Sequence, residues 1–241
     1  AHAIHPGRRM SPRTLKILAL VLVLAGIGGV FALTQRGNPR DHVLKTYDPP
    51  VTSLAGLEIT AASRHGKFLD VDVSGLHLVV HLARAGWLHW REQLPPAPPK
   101  MGKGPIGLRV HLDDGSGFDL TEAGTRKGLA VYVVRDVSTV PGVARLGIDP
   151  LAAEFTQERF TGLLTGVRAQ VKGVLTDQSV IAGLGNAYSD EVLWQVGLSP
   201  FKPAANLSAE QVATLYAAIV DTLRAAVVRA DGLAAGLLKA E

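Results

Sequence analysis

Gln170 to Leu193, QVKGVLTDQSVIAGLGNAYSDEVL, constrains the fold of this chain more than any other stretch. Val171, Val174 and Leu175 put one turn of apolar face on a short helix, and Asp177-Gln178 closes it. Gly183 and Gly185 then bracket a loop that side chains at those points would obstruct. Asn186 opens a second helix, along which Tyr188, Glu191 and Val192 follow at helical spacing. A helix start presents backbone N–H groups without intrahelical partners, and glycines let a phosphate come close to them. Lys172, one short helix away, adds positive charge. Two other readings stand beside this one. A plain helical hairpin would use the same glycines only to turn. A dinucleotide loop would need a third glycine where Tyr188 stands, and it would follow a strand rather than a helix.

The rest of the chain is long enough to hold this segment in a domain of its own. Its 241 residues suit two modest domains or one large one, and an apolar share of 47% excludes wholesale disorder. Lys and Arg number 25 against 21 Asp and Glu, a mild positive balance compatible with a polyanion partner. There are 0 cysteines, which excludes disulfides and any cysteine-based zinc site within this sequence. Ile17 to Leu33 is an almost wholly apolar run, preceded by Arg8, Arg9, Arg13 and Lys16 and followed by Arg36 and Arg40. It reads as a signal sequence or a short membrane anchor, with membrane contact through residues 17–33. A buried segment of a soluble fold is the alternative.

From Asp41 the composition changes. Lys67 to Val73 alternates apolar and polar, Ser74-Gly75 makes a two-residue turn, and Leu76 to Leu82 returns as the second strand of a hairpin. Gly86 to Trp90 reads as a further strand, Leu94 to Pro105 as a proline-rich loop, Leu108 to Thr121 as another hairpin and Leu129 to Arg135 as a last strand. Trp87 and Trp90 are taken as sheet packing. Beyond Pro150 the period becomes helical. Thr156 caps one helix, Gly197 stops another, and Ser208 with Gln211 forms a capping box for a long amphipathic helix ending near Gly232. The expected class is α+β, an antiparallel β-sandwich followed by a helical domain. The segments are residues 1–40 (atypical), 41–140 (sandwich) and 150–239 (helical).

Lys172, Leu175, Asp177-Gln178, Ala182 to Asn186 and Tyr188 to Glu191 together resemble the helix–two-turn–helix segment of the formamidopyrimidine-DNA glycosylase and endonuclease VIII family. The resemblance runs from about Val43 to Lys239. It implies DNA base-excision repair: removal of an oxidised or ring-opened base from duplex DNA, then cleavage at the abasic sugar. The duplex would lie in the cleft between the two domains, and the damaged base would leave the stack to be reached. The resemblance also implies a monomer, a cytoplasmic (nucleoid) location and no cofactor beyond a zinc finger for which this chain has no cysteines.

It further implies roles for particular residues. Lys172, Gly185, Asn186 and Tyr188 would hold the DNA backbone without reading its sequence. Arg64-His65-Gly66-Lys67 matches an Arg-x-x-Lys whose lysine approaches a DNA phosphate and assists strand cleavage, so Lys67 is the candidate catalytic residue. His81-Leu82-Ala83-Arg84-Ala85-Gly86 stands where the family has His-Leu-Gly-Met-Ser-Gly, and Arg84 replaces the methionine that enters the space of the everted base. Arg126 and Lys127 lie in the loop that elsewhere carries an arginine and an aromatic wedge, and they are candidate phosphate contacts. Lys100 and Lys103 read first as solvated. The family's nucleophile is an N-terminal proline followed by glutamate, and no Pro-Glu-Leu-Pro string occurs in residues 1–40. The expectation from sequence is therefore a DNA-binding chain with little or no glycosylase activity. A non-catalytic DNA-binding module and a membrane-tethered or exported protein reusing the fold are the alternatives.

Overall fold

The computed structural model describes residues 31–32, 43–95, 106–123, 125 and 127–230. The chain divides between Arg145 and Leu146 into two compact units.

The first unit is built from two antiparallel sheets. One has the order β1 (Phe31–Ala32), β6 (Ile106–Leu112), β7 (Gly117–Glu122), β5 (Gly86–Arg91). The other runs β2 (Ile59–His65), β3 (Phe68–Val73), β4 (Leu76–His81), β8 (Ala130–Val134). Turn chemistry sets the register. Ser74 and Gly75 both have left-handed φ, 52° and 85°, which matches the turn to the twist of the strands it joins. Gly75 N–H donates to Asp72 Oδ1 at 2.9 Å. Between β2 and β3 the turn is Gly66-Lys67, with φ of 57° at Gly66 and Arg64 Nη1 donating to the Gly66 carbonyl at 2.8 Å. Leu69, Val71, Val73, Leu78, Val80, Val131 and Val133 of one sheet join Leu108, Val110, Leu112, Phe118 and Leu120 of the other in a single core. Trp90 belongs to it as well, the packing role expected of it.

Phe31 and Ala32, inside the apolar run read as a signal or anchor, pair as strand with Leu112 and His111. The rest of that run lies outside the described residues, as do Lys100, Lys103, Arg126 and the end of the long helix at Gly232.

Each sheet also carries a buried carboxylate on its outer face. Asp119 receives Arg109 in a two-pronged pair, Nε to Oδ1 at 2.7 Å and Nη2 to Oδ2 at 2.9 Å. Asp70 Oδ1 meets His77 Nδ1 at 2.9 Å, while its Oδ2 meets His65 Nε2 and Ser63 Oγ, each at 3.2 Å. Beside this cluster Val79, Val134 and Val140 pack with Phe68, Tyr132, Val137 and Val143. The sheet thus has apolar contacts on both faces, which is why β4 reads as a near-continuous hydrophobic run.

The second unit holds α1 (Gln157–Leu164), α2 (Val171–Thr176), α3 (Asn186–Gln195) and α4 (Ala209–Ala230). Thr156 Oγ1 accepts from Arg159 N–H at 3.2 Å and starts α1. At the end of α3, Gly197 takes φ 65°, its N–H donates to the Trp194 carbonyl at 3.1 Å, and Leu198 N–H donates to that of Leu193 at 2.9 Å. This pair of bonds is the glycine stop. Ser208 and Gln211 cap α4 reciprocally, Gln211 N–H to Ser208 Oγ at 3.2 Å and Ser208 N–H to Gln211 Oε1 at 3.1 Å. By length and composition α4 is apolar enough to cross a membrane. Its stripe of Val212, Leu215, Ile219, Leu223 and Ala226 is nevertheless spent on the core, with Phe155, Phe160, Leu164, Leu175, Leu184, Tyr188 and Val192.

Two stability measurements check these placements. Asp119→Ala leaves Arg109, whose side chain is only 10% exposed, without its carboxylate and is expected to destabilise the first unit by about 3–5 kcal/mol in urea unfolding. Burial pushes the Asp70 carboxyl up, but the hydrogen bonds and charges of His65 and His77 outweigh it and hold the group below the ordinary carboxylate range. A depressed carboxyl stabilises the fold above its unfolded value of about 3.9, and that stability is lost as pH falls through the lower folded value. Asp70→Asn is therefore expected to lower the urea midpoint near pH 7, with the gap to the parent chain closing toward about pH 3.

Candidate nucleic-acid interface

The corner between α2 and α3 is assembled from its backbone outward. Asp177 Oδ1 accepts from Ser179 N–H at 2.9 Å and Oγ at 2.7 Å, and the Asp177 carbonyl accepts from Val180 at 3.0 Å and Ile181 at 2.9 Å, which makes the first turn. Gln178 makes the second. Its Nε2 donates to the carbonyls of Thr176 and Leu184, both at 2.8 Å, and its Oε1 accepts from Gly183 N–H at 2.9 Å. Ile181 and Leu184 are fully buried beneath the corner. Gly147 runs alongside, its N–H donating to the Gln178 carbonyl at 2.8 Å, and a Cβ there would collide with the Val180 carbonyl. Sequence reading passed over Gly147 because its neighbour is distant along the chain.

The two bracketing glycines are not equivalent. Gly183 needs its left-handed φ of 89°. Gly185 is extended, with φ −116°, and serves as the N-cap of α3 with no side chain of its own. The first intrahelical bond is Ser189 N–H to the Gly185 carbonyl at 2.9 Å, so the N–H groups of Asn186, Ala187 and Tyr188 have no helix partner. Asn186 is exposed, and its amide makes no hydrogen bond among the described residues. One turn along the same face, Asp190 Oδ1 accepts Lys172 Nζ at 2.6 Å. Lys172, Gly185 and Asn186 are therefore brought together at one helix end.

Tyr188 is a correction. It is only 2% exposed, packed in the helical core, with a hydroxyl that is buried and unpartnered. Burial pushes that hydroxyl up to about 12, with the Arg229 charge opposing and Glu191 adding. Helical phase explains the placement: with Asn186 and Asp190 facing out, Tyr188 and Val192 face in. Its side chain faces the core and holds the helix, while its backbone N–H stays with those of Asn186 and Ala187 at the open helix start.

In the first unit Lys67 stands half-buried at the β2–β3 turn. Phe68 pairs with His81 across β3 and β4, with ring centroids 4.6 Å apart. His81 Nδ1 accepts from Ala83 N–H at 3.2 Å, so the neutral ring carries its proton on Nε2. Burial, then the charge of Lys67, holds His81 below the ordinary histidine range; burial likewise lowers Lys67. Arg84 is exposed in the turn after β4, next to Ala83 with φ 51°. Lys127 is exposed too, and its Nζ donates to the Glu122 carbonyl at 2.9 Å. Glu122 itself was not anticipated: only 4% exposed, its Oε1 accepts from Gly128 N–H at 2.6 Å and Leu129 N–H at 2.8 Å. An added Cβ at Gly128 would lie 3.0 Å from Ala83 Cβ, so the loop with Lys127 and the turn with Arg84 are neighbours.

Gln178→Ala removes three hydrogen bonds from the corner and is expected to destabilise the second unit by roughly 1.5–4 kcal/mol in urea unfolding. Gly183→Ala is expected to cost about 1–2 kcal/mol for its left-handed backbone, whereas Gly185→Ala, in extended backbone, escapes that strain.

Residues 33–130 match the profile of the formamidopyrimidine-DNA glycosylase N-terminal domain, and residues 146–235 that of the formamidopyrimidine-DNA glycosylase H2TH domain. A formamidopyrimidine-DNA glycosylase of Moorella thermoacetica is 37% identical over 182 residues, covering 73% of this chain and 64% of that protein. One of Lactobacillus delbrueckii subsp. bulgaricus is 31% identical over 202 residues, covering 79% and 71%. The chain spans 64%, 66% and 63% of the relatives from Moorella thermoacetica, Syntrophomonas wolfei and Albidiferax ferrireducens. Among solved structures, the Lactococcus lactis enzyme bound non-covalently to DNA containing an AP site superposes with a TM-score of 0.76 at 23% identity, over 93% of this chain and 84% of that one. The MutM (Fpg) protein of Thermus thermophilus does so with 0.71 at 26%, over 91% and 76%. Two matched domains in the same order, on the fold and corner described above, show that the chain belongs to the formamidopyrimidine-DNA glycosylase family.

Proposed function

We propose that this protein acts in DNA base-excision repair, holding duplex DNA that carries oxidised or ring-opened bases or abasic sites. The observation that carries this reading is the start of α3: an exposed Asn186 with an unengaged amide, beside backbone N–H groups without helix partners. Such a site suits a phosphate, because the amide and the N–H groups donate and the helix dipole favours negative charge. Lys172 adds a cation on the same face. None of these groups reads a base edge, so they position a duplex without choosing its sequence.

In the first unit Lys67, His81, Arg84 and Lys127 supply the remaining polar contacts, and Lys67 meets the sugar–phosphate where strand cleavage occurs. The reaction class is base removal followed by cleavage at the abasic sugar, as in the relatives whose names state glycosylase activity. A bacterial cytoplasmic location at the nucleoid follows from that reading. The cysteines of a zinc finger are not in this sequence, and no step is assigned to a metal.

Replacing Lys172 and Asn186 together by alanine is expected to lower duplex affinity at least about tenfold by fluorescence anisotropy, with circular dichroism unchanged. Unchanged affinity in a folded double variant would remove the reading. Asp190→Asn frees Lys172 from its carboxylate and is expected to raise affinity, most clearly at low salt. Binding without cleavage of a duplex carrying an oxidised purine would leave the grip in place and remove the chemistry.

A further inference from the structure

Two histidines share the Asp70 carboxylate, and their positions are not equivalent. Ionised Asp70 only accepts, so each ring turns an N–H toward it, His77 Nδ1–H to Oδ1 at 2.9 Å and His65 Nε2–H to Oδ2 at 3.2 Å. Each ring keeps one further nitrogen, Nε2 of His77 and Nδ1 of His65. His77 lies beside a second carboxylate: Ser138 holds Asp136 below the ordinary carboxylate range, and the charge of His77 adds to that effect. His65 has Ser63 Oγ at 3.3 Å, again on Nε2, and among the described residues no hydrogen bond reaches its Nδ1. Its side chain is 35% exposed, against 22% for His77. His65 is also the last residue of β2, directly before the Gly66-Lys67 turn. It pairs with Phe68, which pairs in turn with His81. Residues in one such row share a face of the sheet, so His65 and His81 stand on the same face, about 10 Å apart across two strand spacings.

We propose that His65 is a further DNA-contacting residue: with a proton on each nitrogen it donates through Nδ1 to a phosphate oxygen of the duplex, while Asp70 holds Nε2 and fixes the ring. A doubly protonated imidazole is a donor at both nitrogens, so one ring can bridge a buried carboxylate and an external anion. The carboxylate on the far nitrogen keeps the ring from turning, as such partners do for metal-bound histidines. A neutral ring that gives Nε2–H to Asp70 has only a lone pair at Nδ1, which a phosphate repels. The contact therefore forms on the acid side and is lost as pH rises. The titratable and charged groups around the ring are Asp70 and Asp72 on β3, His77 and His81 on β4, Tyr132 on β8 and Asp136 beyond it, with Arg64 and Lys67 on either side along the chain. Among them Asp70 is the one that bonds the ring. This deepens the DNA-repair reading and rests on it, because the duplex must be held before its phosphate can reach His65.

The test is duplex affinity against salt concentration, at about pH 6 and about pH 8, for the full chain and for His65→Gln, whose amide N–H can still reach Asp70 but carries no charge. One phosphate contact changes the slope of log affinity on log salt by about 0.9. The slope of the parent chain is expected to be steeper than that of His65→Gln by about this much at the lower pH and to match it at the higher. His77→Gln, which alters the same carboxylate, is expected to keep the parent's pH dependence. Equal slopes for the parent and His65→Gln on the acid side, a difference that persists unchanged on the alkaline side, or an equal loss in His77→Gln overturns the proposal and leaves the DNA-repair reading standing. Failure of the parent chain to bind duplex at either pH removes both. Diethyl pyrocarbonate with mass spectrometry reads the contact without any substitution. Duplex is expected to slow modification of His65 at least about threefold near pH 6 and to leave His77 unchanged, and equal rates at His65 with and without duplex overturn the proposal.

Discussion

The corner between α2 and α3 must satisfy its own backbone while leaving the first turn of α3 open. Both demands are met by a half-buried glutamine and two fully buried aliphatic side chains. Gln178 occupies the carbonyls and the N–H that the two turns would otherwise strand, and Ile181 and Leu184 seal the apolar side. Among the described residues nothing local bonds the N–H groups of Asn186, Ala187 and Tyr188. A helix start that is rigid below and unsaturated above can meet an anion without rearranging, so little ordering entropy opposes binding there.

The sandwich uses buried charge differently. Asp70, Asp119 and Glu122 are each nearly inaccessible, and each is engaged by other groups: two histidines, a guanidinium, and a pair of backbone N–H groups. Removing one partner would strand a charge in a weakly solvated place, which makes these positions stricter than their polar character suggests. They also stand close to the groups offered for recognition. Asp70 grips His65, next to the Gly66-Lys67 turn, and Glu122 grips the loop that ends in Lys127 and Gly128.

Much of this was legible in the sequence where the physics is local. Ser74-Gly75 announces a two-residue turn, Ser208 and Gln211 announce a cap, and Gly197 announces a stop, because each acts on backbone only a few residues away. That Asn186 and Lys172 stand at one corner was legible through their motif. The side chain of Tyr188 was not, because helical phase sets it inward with Val192 whatever its place in the motif. The roles of Gly147 and Glu122 were not legible. Gly147 is required by the Val180 carbonyl, far away along the chain, and Glu122 ends a strand, Gly-Phe-Asp-Leu-Thr-Glu, that is buried on both faces. Alternation cannot tell which polar side chains in such a strand are internal.

Glu122 has one more effect. By accepting Gly128 N–H and Leu129 N–H, and with its carbonyl accepting Lys127 Nζ, it ties the end of β7 to the residues that lead into β8. Both carboxylate contacts are to backbone N–H groups, so the tie does not depend on which side chains the intervening residues carry, for as long as the glutamate is kept.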